Sequence, residues 1–502
     1  MKKIFLLYVI CLLVWISNSY SQSIGIGTTT PNSSAILDVQ SANKGMLVPR
    51  IALTALNTAS PVSSPADALL VYNTATAGVG DNAVVPGFYY WTAAGNAWKA
   101  VSSKETVADV GFGGWGECSG GNVSEYNPVA EENSQKLGAS VAVSGNFAII
   151  GDHNDGTGGS ASFYRFNGTN WVFMQKVTDA TGGIGDWFGV SVSISGNYAI
   201  VGAYYNDNGL FNNNNNGAAI IFQYNGSSWV LMQKIIPVTS GIEHYYGVDV
   251  SISGNYAVIG GYGADVGGGP FQGAARIYQY NGSSWVFMQQ ITDPTGTGGD
   301  RFGGSVSISG NFIIAGSMYD DLGTYTDAGS ATIYQYNGSS WVFMQKLYNF
   351  NGLTEDAFGA SVSISGNYAV VGAPFDDEGA NTDQGSVNMY KFNGTSWVWT
   401  QKITDPNGVA SDRFGSQVSI SGNYALVGTV SDGIGPNAYQ GSATLYTKVG
   451  GGWQRLQYLT DPGGGPAEFF GKAVDIDGTS KRFLISSEGS TGQGKVVFGK
   501  VN

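Results

Sequence analysis

Carboxylates supply the densest chemistry in this chain. Asp320, Asp321 and Asp327 recur fifty-six residues later as Asp376, Asp377 and Asp383. Clustered oxygen donors suit a hard divalent cation, and calcium takes about six to eight oxygen ligands. These six aspartates are therefore the candidate metal ligands, and calcium is the one cofactor that the residues suggest. Asp475, Asp477 and Gly478 form a shorter acidic stretch, but the next acid is Glu488, too far on to complete a compact loop. Two carboxylates about 5 to 9.5 Å apart could instead cleave a glycosidic bond, and Asp356 and Asp376 are among the acids available for that. Other catalytic arrangements are missing. The two histidines, His153 and His244, fall in different repeats, and no Ser/His/Asp order, nucleophile elbow, phosphate loop or HExxH stretch occurs. The residues favour a protein that binds without catalysing. Trp187 and Tyr245, each directly before an aromatic-Gly pair, are the candidates for ligand contact.

The elements that position these residues repeat. Leu137, Phe188, Tyr246, Phe302, Phe358, Phe414 and Phe470 each precede a glycine, with gaps of 51, 58, 56, 56, 56 and 56 residues. Trp171, Trp229, Trp285, Trp341, Trp397 and Trp453 step by 58 and then by 56. Such a period turns several apparent domains into one array. Within the copy that opens at Phe358, the runs SVSIS, YAVVGA, GSVNMYKF and SWVWTQKI read as four strands. Ser365-Gly366-Asn367 joins the first pair and Asn393-Gly394 the last, where Gly and Asn accept the positive φ of a tight hairpin. Four antiparallel strands per period, seven times over, predict an all-β, seven-bladed β-propeller. The last copy stops after three strands, so residues 122–130 are expected to supply its fourth, pairing with Lys495 to Val501 and closing the ring.

This strand order puts short hairpins on one face of the disc and the long loops on the other, together with roughly two thirds of the 36 carboxylates. Many of these acids read as turn residues. Asp186, Asp300, Asp356, Asp412 and Glu468, two residues before the aromatic-Gly pair, are expected to accept backbone N–H bonds as the chain enters each blade. The six periodic tryptophans are expected to pack between blades.

The array occupies residues 120–502. Residues 1–21 combine Lys2 and Lys3 with an apolar run from Ile4 to Ile16 and a small-residue cleavage pattern, which reads as a secretory signal. The apolar run is shorter than the ~20 residues of a transmembrane span, so none is expected in the mature chain. Cleavage leaves 21 basic against 36 acidic residues, a net charge of −15, which disfavours nucleic acid as a partner. Only Cys118 survives cleavage, so no intramolecular disulfide is expected. Residues 22–105, with their short apolar runs among Pro, Gly, Ala and Thr, read as a small β-rich spacer module, and 106–119 as a linker.

Two resemblances add to this. GIGTTTPN, the AILDV run, KGMLVPR and the later YYW resemble a leader module of secreted surface proteins in the Bacteroidetes, where it serves as a spacer. From residue 120 onward, the succession of Phe-Gly, SVSISGN, Val-Gly-Ala, Asp-Asp, Gly-Ser-Ala and Trp resembles the bacterial FG-GAP repeat family, relatives of the integrin α-subunit propeller; Gly372-Ala373-Pro374 spells its name. The resemblance implies a secreted or cell-surface binding or adhesion protein that meets an extracellular protein or glycan. The calcium loop that integrin-like propellers often carry between first and second strands is replaced here by the bare Ser-Gly-Asn turn. The alternatives are a carbohydrate-active enzyme using paired loop carboxylates and a structural surface-layer component.

Overall fold

The computed structural model describes residues 24–26, 37–39, 41, 47–78, 82, 84, 86–93, 96–100, 123–129 and 137–502, except 157, 208–214, 238–243, 268, 350–351, 462–463 and 490–493. The expected signal segment and linker lie outside the described residues. The chain forms two compact units, Met1–Val110 and Gly111–Asn502. Every named element is a strand. Among the described residues no helix is long and apolar enough to cross a membrane.

In the smaller unit, Ile24–Ile26 pairs in parallel with Leu37–Val39. A four-stranded sheet follows, of Arg50–Ile51, Leu70–Asn73, Gly87–Thr92 and Ala97–Ala100, with the first pair parallel and the others antiparallel. Alternation along the strands turns Val71, Tyr89, Trp91 and Trp98 inward onto Leu53 and Val84. Buried Asn73 holds the adjoining loops, its side-chain oxygen accepting the amides of Leu53 at 2.9 Å and Ala75 at 3.0 Å.

The larger unit contains, among the described residues, seven four-stranded antiparallel sheets. Sheet five shows the plan, with strands Ser361–Ser365, Tyr368–Ala373, Ser386–Phe392 and Trp397–Ile403. Second strands are buried on both faces, which explains their continuous apolar runs. Hairpin glycines take the left-handed region, φ 55° at Gly366 and 100° at Gly394. Asn393 does not. Its side-chain oxygen accepts the amides of Thr395 and Ser396 at 2.9 Å, so the asparagine of the hairpin caps the turn rather than relaxing its backbone.

Neighbouring sheets share aromatic seams. Trp397 meets Phe312 of the preceding sheet edge to face at 5.2 Å, and Trp341 meets Tyr256 likewise at 5.6 Å. A glutamine on each preceding outer strand clasps the tryptophan backbone. Gln345 donates to the Trp397 carbonyl at 2.9 Å and accepts its amide at 2.8 Å, and Gln175, Gln233, Gln289 and Gln401 repeat the clasp on Trp229, Trp285, Trp341 and Trp453. The periodic tryptophans thus pack between sheets, as expected. The paired glycines of the repeat serve the same seam: a Cβ on Gly372 would lie 2.1 Å from the Gly415 carbonyl of the next sheet.

First strands line a cavity of about 820 Å³. They touch one another in chain order, and Val474–Asp477 of sheet seven touches Ser140–Ser144 of sheet one. Serine hydroxyls bind these strands together. Ser251, Ser307 and Ser363 accept the amides of Ile308, Ile364 and Ile420 in the following sheet, each at 3.1 Å. Sheet seven takes its fourth strand from Val123–Val129, which pairs antiparallel with Lys495–Val501.

Candidate functional site

Beneath the long loops, a polar node recurs at the seams between sheets. Its first member is the acid two residues before the aromatic-Gly pair. Asp186 accepts the Gly183 amide at 2.7 Å, Asp356 that of Leu353 at 2.6 Å and Asp412 that of Val409 at 2.6 Å, the role read from their regularity. A second acid or amide stands seven residues earlier, as Asp179, Asp293, Asn349 and Asp405. A third comes from the loop after the second strand, as Asn206, Asp320, Asp376 and Asp432. The fourth member is five residues past the tryptophan on the outer strand, and there the node receives a cation, from Lys234, Lys346 or Lys402.

The lysines decide the chemistry of the acids singled out from sequence. The Lys346 ammonium lies 2.6 Å from Asp293 and 2.5 Å from Asp320, and Lys402 lies 2.8 Å from Asp376 and also pairs with Glu378. Burial works against the charge of both lysines, yet the adjacent carboxylates hold both above the usual lysine range. Asp320 and Asp376 are buried, whereas their neighbours Asp321 and Asp377 are exposed. The exposed pair caps its own loops, accepting the amides of Asp327 and Asp383 at 2.9 Å, and Asp327 and Asp383 themselves take left-handed φ of 54° and 53°. Each triad is therefore divided between a buried ion pair and a surface turn. Among the described residues no three His, Cys, Asp or Glu side chains converge to hold a metal ion, and an ammonium already lies where a cation would neutralise Asp320 or Asp376. The Asp475–Asp477 stretch is likewise engaged with backbone amides, of Val143 and Gly145 in sheet one.

Among the described residues, nodes depart from the plan at sheets three, six and seven. At sheet seven Lys495 of the third strand lies 3.2 Å from Asp461 and 3.7 Å from Glu468, and Glu468 accepts the Ser487 hydroxyl at 3.2 Å instead of the backbone amide expected of it. At sheet three, Pro237, His244, Ala264 and Gln290 occupy the four positions, so the node carries no carboxylate and no lysine. Burial pushes His244 down, favouring the neutral imidazole. At sheet six, Asp405, Asp412 and Asp432 are all buried and Tyr458 replaces the lysine, donating to Asp432 at 2.5 Å. Burial, with Asp432 and Asp405 beside it, pushes the Asp412 carboxyl up to about 6. Asp356 and Asp376, considered above as an acid/base pair, share the Asn349 amide, which donates to them at 3.2 and 3.1 Å. Both are buried, at 2% and 3% exposure, and neither faces solvent where a glycosidic bond would lie.

Over the nodes runs a ribbon of aromatic side chains. The residue directly before the aromatic-Gly pair is non-glycine yet left-handed at six seams: Trp187 (φ 58°), Tyr245 (55°), Arg301 (58°), Ala357 (52°), Arg413 (62°) and Phe469 (54°). Such a conformation costs a side-chain-bearing residue roughly 1–3 kcal/mol and persists only where surrounding structure imposes it. Here main-chain hydrogen bonds hold the segment that follows, the Gly189 amide donating to the Gly202 carbonyl at 3.0 Å and the Gly247 amide to the Gly260 carbonyl at 2.8 Å. The ribbon begins at His153, 4.7 Å from Trp187 between ring centres, and continues through Tyr205 at 4.9 Å from Trp187. Tyr245 follows at 5.7 Å from Tyr205 and stacks on Tyr262 at 5.0 Å. Arg301 ends the run, 5.6 Å over Tyr262 and 4.7 Å over Tyr319. These side chains are half-buried.

The structure thus brings Trp187 and Tyr245 into one surface, bridged by Tyr204 and Tyr205. Sequence reasoning missed Tyr204, Tyr205, Tyr262, Arg301 and Tyr319. Their signal was available: Tyr204, Tyr262 and Tyr319 follow the second strand by one or two residues in three consecutive repeats, and Arg301 occupies the Trp187 position.

Comparison with known families adds three matches. Residues 171–222, 229–278, 285–334, 341–390 and 397–446, together half of the chain, match the FG-GAP repeat. Residues 25–111 match the phage tail like trimerisation region, and residues 138–156 match the LVIVD repeat. No curated protein matches the chain.

Proposed function

Because the chain belongs to the FG-GAP repeat family, we propose that it is a non-enzymatic extracellular binding protein, and that its ligand, a protein or a glycan, meets the aromatic ribbon around Trp187 and Tyr245. The observation that carries this reading is the strained backbone beneath the ribbon: six seams keep a left-handed non-glycine residue, and at two of them it is Trp187 or Tyr245, joined to the same aromatic surface. Half-exposed aromatic rings offer large contact area at small entropic cost.

In the same reading the seven sheets are blades of a closed propeller. The contact between first and last sheets and the strand lent by Val123–Val129 support it. The node carboxylates, Asp320 and Asp376 included, act as ion-pair anchors that hold the loops, with Asp321, Asp327, Asp377 and Asp383 shaping the turns above them. Residues 1–21 direct secretion, and residues 106–119 link the propeller to its leader. The match of residues 25–111 supports reading that leader as a module that joins three chains. The likeness of its motifs to secreted surface proteins of the Bacteroidetes supports the same compartment.

The test is a binding screen of residues 22–502 against immobilised glycans and extracellular proteins, with the captured ligand examined for new products. Saturable binding without product supports the proposal. Release of reducing ends, abolished by Asp356→Asn or Asp376→Asn, would replace it with the enzymatic alternative.

A further inference from the structure

We infer that the outer face of the small N-terminal sheet, made by Leu70, Tyr72, Phe88 and Tyr90, is the surface through which three copies of this chain assemble; the inference rests on the trimeric reading of residues 25–111 proposed above. The inner face of this sheet is already used. Val71, Tyr89, Trp91 and Trp98 close it over the core of the unit. A sheet with one covered face ordinarily turns polar residues to solvent on the other. Here Phe88 is 45% exposed, Tyr90 38% and Leu70 37%.

These side chains form one grid. Leu70 stands opposite Tyr90 and Tyr72 opposite Phe88 across the central strand pair. Tyr72 and Phe88 meet edge to face at 5.1 Å. At the margins stand cations: Arg50 pairs with Tyr72 and lies over its ring at 5.4 Å, and Lys99 pairs with Tyr90. An apolar centre bounded by charge is the anatomy of a protein interface.

Charge distribution favours a second copy of this unit as the occupant. Residues 22–110 hold four basic and five acidic side chains, so the unit is nearly neutral while the rest of the mature chain carries almost all of its negative charge. Copies that repel one another through their larger units can still meet through this one. Turned toward a three-fold axis, three such grids would share one aromatic core and remove it from water.

Light scattering on residues 22–502, for wild type and for Phe88→Ser/Tyr90→Ser, tests this. Wild type should have three times the chain mass, and the variant one chain mass with residues 22–110 keeping their wild-type resistance to limited proteolysis. A wild type of one chain mass would overturn the trimeric reading itself. A variant that stays at three chain masses would overturn the assignment of this face and leave that reading standing. Should the variant lose that resistance, p-benzoylphenylalanine at position 88 decides. Irradiation should link chains into covalent dimers and trimers, and monomer alone would refute the assignment.

Discussion

The Asp475 carboxylate accepts the Val143 amide at 2.7 Å, joining residues 332 positions apart. It stands where Ser251, Ser307 and Ser363 stand in other sheets and does their work, holding its first strand to the next. Two residues on, Asp477 accepts the Gly145 amide at 2.7 Å, where Ser309 and Ser365 accept Gly366 and Gly422 at 3.1 Å. The stretch that read as a fragment of a calcium loop thus makes contact across the seam between the last sheet and the first. Two carboxylates replace two hydroxyls at this seam. Burial pushes the Asp475 carboxyl up to about 6, so above that pH it is a charged acceptor, and hydrogen bonds to a charged acceptor are shorter and roughly twice as strong.

Asp475→Ala should therefore cost more than Ser307→Ala. A charged hydrogen bond contributes about 1.5–3 kcal/mol and a neutral one about 0.5–1.5 kcal/mol. Urea denaturation of the two variants checks the order, and equal losses would contradict the special role of this seam.

Lys346 sits between buried Asp293 and Asp320. Lys346→Met strands two carboxylates, and breaking a buried ion pair costs about 3–5 kcal/mol. Asp320→Asn on that background should recover part of the loss. The same geometry predicts that calcium and EDTA at fixed ionic strength leave the wild-type unfolding midpoint unchanged, because an ammonium already compensates these acids. A native-state site saturated 100-fold over its Kd would add about 2.7 kcal/mol, so a clear upward shift in calcium would contradict the reading of the nodes as ion-pair anchors.

The node of sheet six predicts a pH effect of defined sign. Asp412 titrates at about 6 in the folded chain against an ordinary 3.8, because burial and its acidic neighbours disfavour its charge. The folded state therefore binds this proton more tightly than the unfolded one. The stabilisation is complete below about pH 4 and is lost as pH rises through about 6. Asp412→Asn can still accept the Val409 amide, so it should raise the melting temperature by several degrees at pH 7.5 and change it little at about pH 3.5, below the unfolded value. An effect equal at both values would show that Asp412 does not carry this proton.

Much of this fold is legible in the sequence because the repeat states each local rule several times. The four strands, the hairpin turns and the pairing of residues 122–130 with the last strand follow from period and alternation, as do the tryptophan seams. The site is less legible, for reasons of geometry. Asp320 and Asp321 are adjacent in sequence, yet one is buried against Lys346 and the other caps a surface turn. The Lys346 partnership with Asp293 crosses a sheet boundary, which spacing within a single repeat does not reveal. Nor does residue type announce the left-handed backbone at Trp187 and Tyr245, since that conformation is usually signalled by glycine. The ribbon itself depends on residues that differ from one repeat to the next, and a search for regularity passes over them.

The most direct test of the central claim is quantitative binding of the identified glycan or protein ligand to residues 22–502, comparing Trp187→Ala and Tyr245→Ala with Trp399→Ala, whose ring is exposed on the outer strand of sheet five. The account predicts at least a tenfold loss of affinity in the first two, unchanged melting temperatures and no loss in the third. Full affinity in both ribbon variants, or an equal loss at Trp399, would contradict it.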